Sequence, residues 1–330
     1  MKKLTKIIGI AFLALSVLSC SDDNESQPTI VDIASSNADF SILVRALERT
    51  DLVETLDGSG QFTVFAPTNA AFNTFFASLG AGVTVENVPV ATLKAILLNH
   101  VIGSEIKSGA LPAATYASTL SPFNTSVNAP TISMFVQKSG SVVTINGGSA
   151  NGGATVTSAD LDASNGVIHV VGNVIAIPTI VNHVIANPDF DTLQAVVTST
   201  SGAFGDQSGV LNALVGLTAA APATLFAPNN TAFTNATTGT GFAVGANAAQ
   251  VSTVLQYHVT TAGNVRANQL TNNQVVPMFT SPVQNVTVIL GTGTVDIRDT
   301  ATNLSRVFQA DIQASNGVIH GVNRVLQPAL

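Results

Sequence analysis

Between Ala38 and Leu56 the apolar residues Phe40, Leu43, Val44, Leu47, Leu52 and Leu56 fall mostly three or four positions apart, with acidic Asp39 early in the run. That spacing places them on one face and predicts an amphipathic helical pair. Gln61 to Ala66 is a short β-rich run that Pro67 closes, since proline cannot donate to a ladder. Thr68 or Asn69 can then accept from the free amides opening a helix predicted over 70–76. Another helix is predicted over 91–101, and the stretches 131–145, 154–161 and 167–177 are β-rich and broken by Gly and Asn. Helices come first and strands follow, which argues an α+β unit.

The pattern occurs twice. FAPTNAAF at 65–72 returns as FAPNNTAF at 226–233, LLNHV at 97–101 as LQYHV at 255–259, and ASNGVIH at 163–169 letter for letter at 314–320. Order is kept while the offset shrinks along the chain, so the length differences lie between motifs, where loops tolerate them. The expected layout is a signal peptide over 1–19, an acidic tether over 20–28, a first domain over 29–178 and a second over 179–330.

A strand with FAPTNxAF, a helix ending in an Asn/Tyr-His pair and a closing NGVIH strand together resemble the fasciclin-type domain. Both copies carry all three motifs. The resemblance implies an α+β fold of two tandem fasciclin-like domains, each a helical first half packed on a β-sandwich or wedge. It also implies a role in adhesion at a cell surface or matrix. The motif positions are Pro67, Asn69, His100 and His169 in the first copy and Pro228, Asn230, His258 and His320 in the second. The copies differ from the family pattern at Asn69 and Asn230, where the family often has Asp, and from each other at Asn99 against Tyr257.

The N-terminus carries an address. Lys2, Lys3 and Lys6 precede an apolar run from Ile7 to Leu18, with Ser19 before Cys20. The run is too short to span a bilayer, which takes about 20 residues, and reads as an export signal. Val17-Leu18-Ser19-Cys20 resembles a bacterial lipobox, so Cys20 is expected to carry the lipid. It is the one cysteine in the sequence, so no intrachain disulfide can form. The acidic stretch after it resembles a surface-export signal of some Gram-negative lipoproteins. The expected location is the outer membrane, facing the periplasm or the cell surface.

Composition narrows the function classes. Charged residues make up 9% and hydrophobic ones 46% of the chain, and mean hydropathy is +0.40, so a sizeable core can form. Loss of three lysines with the leader takes the net charge from −7 to −10. No basic cluster is present to displace counterions from phosphate, which argues against nucleic acid as a partner.

Leu93, Ile96, Leu97 and His100, and likewise Val251, Val254, Leu255 and His258, follow an i, i+3, i+4, i+7 spacing. Each histidine thus closes an apolar helix stripe and can donate to an unpaired carbonyl at the helix end. His169 and His320 follow Asn-Gly turns inside strands. Buried, hydrogen-bonded imidazoles are expected at all four, with no metal, cofactor or catalytic role. His183 falls outside the repeated motifs and reads as incidental. Asp160 to Gly166 has alternating oxygen ligands, but the second copy replaces Asp162 by Gln313, so the Asn-Gly pair reads as a turn rather than a calcium loop. The chain therefore reads as a non-catalytic adhesion lipoprotein with an unknown protein or glycan partner. The competing reading is a glycan- or small-ligand-binding lipoprotein serving uptake.

Overall fold

A computed structural model describes residues 27–237 and 247–330. The export signal, Cys20 and most of the tether lie outside the described residues. The first unit opens with α1 (Ile30–Ser36), where the Thr29 hydroxyl accepts from the Asp32 amide and the Asp32 carboxylate accepts from the Thr29 amide, a capping box. A 3₁₀ turn at Ala38–Phe40 leads to α2 (Ser41–Arg49), α3 (Val53–Asp57), β1 (Phe62–Pro67), α4 (Asn69–Leu79) and α5 (Val90–Asn99). The strands β2 (Val101–Ile102), β3 (Ala114–Pro122), β4 (Thr131–Ser139), β5 (Val142–Ile145), β6 (Ala154–Ala163) and β7 (Gly166–Val171) complete it.

The second unit repeats the order. It runs through α6 (Ile180–Ala186), α7 (Asp191–Val197), α8 (Ser208–Val215), β8 (Ala223–Pro228), α9 (Asn230–Thr237) and α10 (Ala248–Gln256). Then come β9 (Val259–Thr260), β10 (Val275–Pro277), β11 (Asn285–Gly291), β12 (Thr294–Arg298), β13 (Leu304–Ala314) and β14 (Gly317–Val322). The expected helix over 70–76 extends to Leu79. Two elements carry no periodic signal that predicts them, the short α1 and the two-residue β2.

The simple order of helices and then strands hides a long-range pairing. β1 sits among the helices, yet it runs parallel to the last strand, β7, with Thr63 opposite Val167 and Phe65 opposite His169. The pairing explains the Asn-Gly step. Gly166 stands opposite Phe62 with φ +143°, and a Cβ there would lie 2.0 Å from the Phe62 carbonyl oxygen. Only glycine permits that backbone approach. Gly317 repeats it against Ala223, at 2.1 Å.

Because β1 is covered on both sides, its residues divide between two cores. Val64 and Ala66 face the helices with Phe40, Leu47, Phe72 and Leu97, while Phe65 faces the barrel interior with Met134, Ile145 and Val171. In the first unit all seven strands close into a barrel. In the second the ladder runs β10-β11-β12-β13-β14-β8-β9, and its two ends meet through Phe279 N–H to Val259 O at 2.7 Å and Thr260 Oγ1 to Pro277 O at 2.7 Å.

Candidate functional site

His100 is the C-cap of α5 and is buried. Its Nδ1 lies 2.7 Å from Ile96 O, and its Nε2 lies 2.8 Å from the Ile175 amide. A carbonyl only accepts and an amide only donates, so Nδ1 carries the proton and Nε2 accepts. The ring thereby ties the end of a helix to the segment after β7. His258 repeats the arrangement with Val254 O at 2.7 Å and the Leu326 amide at 2.9 Å. Burial pushes both imidazoles down to about 4, against the smaller opposing effect of the carbonyl each one faces.

His169 uses the opposite tautomer. Its Nδ1 accepts from the Asp160 amide at 3.2 Å and its Nε2 donates to Ile106 O at 2.9 Å. His320 does the same with the Asp311 amide and Val265 O, at 3.3 and 2.9 Å, and burial lowers its pKa. Asp160 sits at a register shift between β6 and β7 with φ +61°. That irregularity turns its carboxylate onto Ser108, accepting from the backbone amide at 2.7 Å and from the hydroxyl. Burial alone would raise this carboxyl, but the Ser108 bonds, aided by His169 and Lys107, hold it below the usual carboxylate range. The Asp160 carboxylate thus holds the 3₁₀ turn Ser108–Ala110 to the bulge, and among the described residues no three His, Cys, Asp or Glu side chains gather as a metal would need.

The motif asparagines join elements far apart in sequence. Asn69 does not cap its own helix. That falls to Thr68, while Asn69 Oδ1 accepts from the Ile42 amide at 2.9 Å and Nδ2 donates to Ala38 O at 2.8 Å. Asn230 repeats this with the Thr192 amide and Pro188 O. Pro67 and Pro228 end their strands opposite Val171 and Val322. Asn165 is the residue that motif reading under-used: Oδ1 accepts from the amide opening α1 at 3.0 Å, and Nδ2 donates to Leu56 O at 2.7 Å. Its exact repetition as Asn316, which accepts from the Ile180 amide at 2.8 Å, was the available signal.

The units meet along a seam built by α6 and β13 of the second against β3, β4 and the 149–151 turn of the first. The buried Gln313 amide donates to Ser133 Oγ at 2.9 Å, and Asn182 and Asn151 exchange hydrogen bonds at 2.8 to 3.2 Å. His183 lies in this seam and is not incidental. It is fully buried, with its ring edge-on to Tyr116 at 5.5 Å. Among the described residues neither ring nitrogen makes a hydrogen bond of good geometry, and burial lowers its pKa to about 4, an effect that the nearby Gln313 backbone opposes in part. In the first unit the matching position is Ile33 and that of Asn182 is Asp32. Such departures of one copy from the other were the sequence signal for the seam.

The two units thus share one plan of histidine and asparagine ties around a parallel β-pair, which defines a tandem α+β module. The fasciclin-domain profile matches residues 38–178 and 190–328, and the chain belongs to the fasciclin-domain family. Protein sll1483 of Synechocystis sp. is 41% identical over 158 residues, 47% of this chain and 76% of that protein. Human periostin is 25% identical over 292 residues, which is 86% of this chain and 30% of periostin. Among solved structures, the FAS1 domain pair of the insect cell adhesion molecule Fasciclin I aligns with a TM-score of 0.53 at 17% identity, covering 87% of this chain and 97% of that one. At that identity the likeness is one of fold.

Proposed function

We propose that the protein is a non-catalytic adhesion lipoprotein, anchored through an acylated Cys20 to the outer membrane and facing the periplasm or the cell surface. Its tandem fasciclin units contact a protein or glycan partner on cells or matrix. The observation that carries this reading is the state of the four repeated histidines. Each is buried and has both ring nitrogens engaged with backbone, and His100 and His258 border cavities of only about 20 Å³, room for roughly one water. Groups so placed hold a scaffold, and scaffold with a broad exterior is what adhesion uses. The adhesion origin of the solved fasciclin pair supports the same reading. Among the described residues no helix is long and apolar enough to cross a membrane, so a lipid on Cys20 would supply attachment.

Two experiments test this. Cys20→Ser should move the full-length protein from the membrane fraction to the soluble fraction and abolish labelling by radioactive palmitate; unchanged retention overturns the anchor. Beads coated with residues 29–330 should retain cells or matrix above beads coated with the heat-unfolded chain. Retention equal to that control overturns the adhesion role.

A further inference from the structure

Where the seam reaches the surface it opens into a cleft of about 190 Å³ shared by the two units. Tyr116 and Phe135 line it from the first unit, and Asn187, Asp189, Phe308 and Gln309 from the second. The inner wall is aromatic: the Tyr116 and Phe135 rings lie 4.9 Å apart, and the Tyr116 hydroxyl accepts from Asn187 Nδ2 at 3.3 Å, which fixes the ring. Phe308 forms the outer wall and is 44% exposed, a costly state for a large apolar side chain. It lies across Gly321, where any Cβ would come within 2.8 Å of the ring. The first unit has Thr157 and Val170 at these two places, so the outer wall made by Phe308 is specific to the second unit.

Charge gives the occupant. Asp189 is the only charged residue lining the cleft, and its carboxylate makes no hydrogen bond or ion pair among the described residues. Among the described residues no cation lines the cleft, and Arg306, two residues from Phe308, is committed to Asp296, with Nε 2.6 Å from Oδ1. The neutral His183 ring behind Tyr116 adds no positive charge. A carboxylate beside aromatic faces attracts a cation twice, through Coulomb attraction and through the ring quadrupoles. We infer that this interdomain cleft takes a basic side chain, arginine foremost, projecting from a partner protein. Guanidinium is favoured over ammonium because its plane can stack on Phe308 while its fork meets Asp189 and the Gln309 amide oxygen. A neutral sugar would use the rings but not the lone carboxylate charge.

The inference rests on the adhesion reading only in drawing the cation from a protein. Calorimetric titration of residues 29–330 with acetyl-Gly-Arg-Gly-amide at low salt tests it, with the citrulline twin as the uncharged control. Saturable binding of the arginine peptide is expected, weakened about tenfold or more in the twin, in Asp189→Asn and in Phe308→Ala. Asp39→Asn, the matching position in the first unit, which does not line this cleft, should leave binding unchanged. Equal binding of the twin, binding indifferent to Asp189→Asn, no saturation up to about 10 mM, or displacement by neutral monosaccharides would each overturn it. The peptide can fail while coated beads still retain cells, and the reverse, so this inference and the adhesion role fail separately.

Discussion

The two units place the same histidine at the same helix end and then differ in its neighbour. Before His100 stands Asn99, whose Nδ2 reaches the carbonyls of Ile175 and Ala176, at 3.3 and 3.2 Å, and whose buried Oδ1 has no partner among the described residues. Before His258 stands Tyr257, whose hydroxyl donates to Asn285 O at 2.7 Å and accepts from the Thr300 amide at 3.1 Å. The tyrosine thus ties α10 to β11 and to the turn after β12. The unit that has it is also the one whose ladder leaves β9 and β10 joined by two hydrogen bonds rather than by strand pairing. One unit gains coherence from ladder closure and the other from a long side chain through its interior, so equal folds need not have equal weak points.

The largest effect should come from closing the backbone approach at the repeated turn. Gly166→Ala and Gly317→Ala each place a Cβ about 2 Å from a carbonyl oxygen at positive φ. Each should cost roughly 4 kcal/mol or more and unfold its own unit first, as separate transitions in scanning calorimetry would report. A single cooperative transition unaffected by either change would show that the strands are not in this register.

Acid should act next. His100, His183 and His258 are held neutral at about 4, mainly by burial, while an unfolded imidazole titrates near 6.5. The unfolded chain therefore binds protons first as pH falls. The contribution of these rings is complete above about 6.5, declines between there and about 4, and is flat below, each ring removing up to roughly 3 kcal/mol, whereas carboxylates held low, such as Asp160, go on losing stability below that. Urea midpoints across this range measure it. His183→Leu should remove one ring's share of the decline with little loss at pH 7, because that imidazole makes no hydrogen bond of good geometry among the described residues. A pH profile identical to the parent's would place His183 in contact with water.

The direct comparison of the ties gives smaller differences. His100→Ala and His258→Ala each strand a buried carbonyl and a buried amide, costing about 3 kcal/mol in their own units. Tyr257→Phe loses two hydrogen bonds and should cost about 2 kcal/mol, whereas Asn99→Leu, which also removes an unpaired buried oxygen, should be nearly neutral. Equal losses at Tyr257 and Asn99 would dissolve the contrast between the units. A small loss is expected at the seam: Ser133→Ala, by stranding the Gln313 amide, should cost about 1 kcal/mol and lower both transitions slightly.

The order of patterns along the chain determined much of this protein by itself. Helical periodicity at Phe40, Leu43 and Leu47, the strand ended by Pro67, and the histidine closing each apolar stripe are local signals, because the spacing of side chains fixes which face is buried. The return of three motifs in the same order, one of them letter for letter, determined that there are two such units, since one sequence plan folds one way twice. Only the tertiary structure decided that β1 pairs with β7, that Asn165 reaches α1, and that His183 and Tyr116 face each other across a seam. Those contacts join residues 67 to more than 100 positions apart, and hydrogen-bond partners so distant leave no periodic trace in either segment. A side chain's chemistry is written in the sequence, whereas the group it meets depends on how separate surfaces come together.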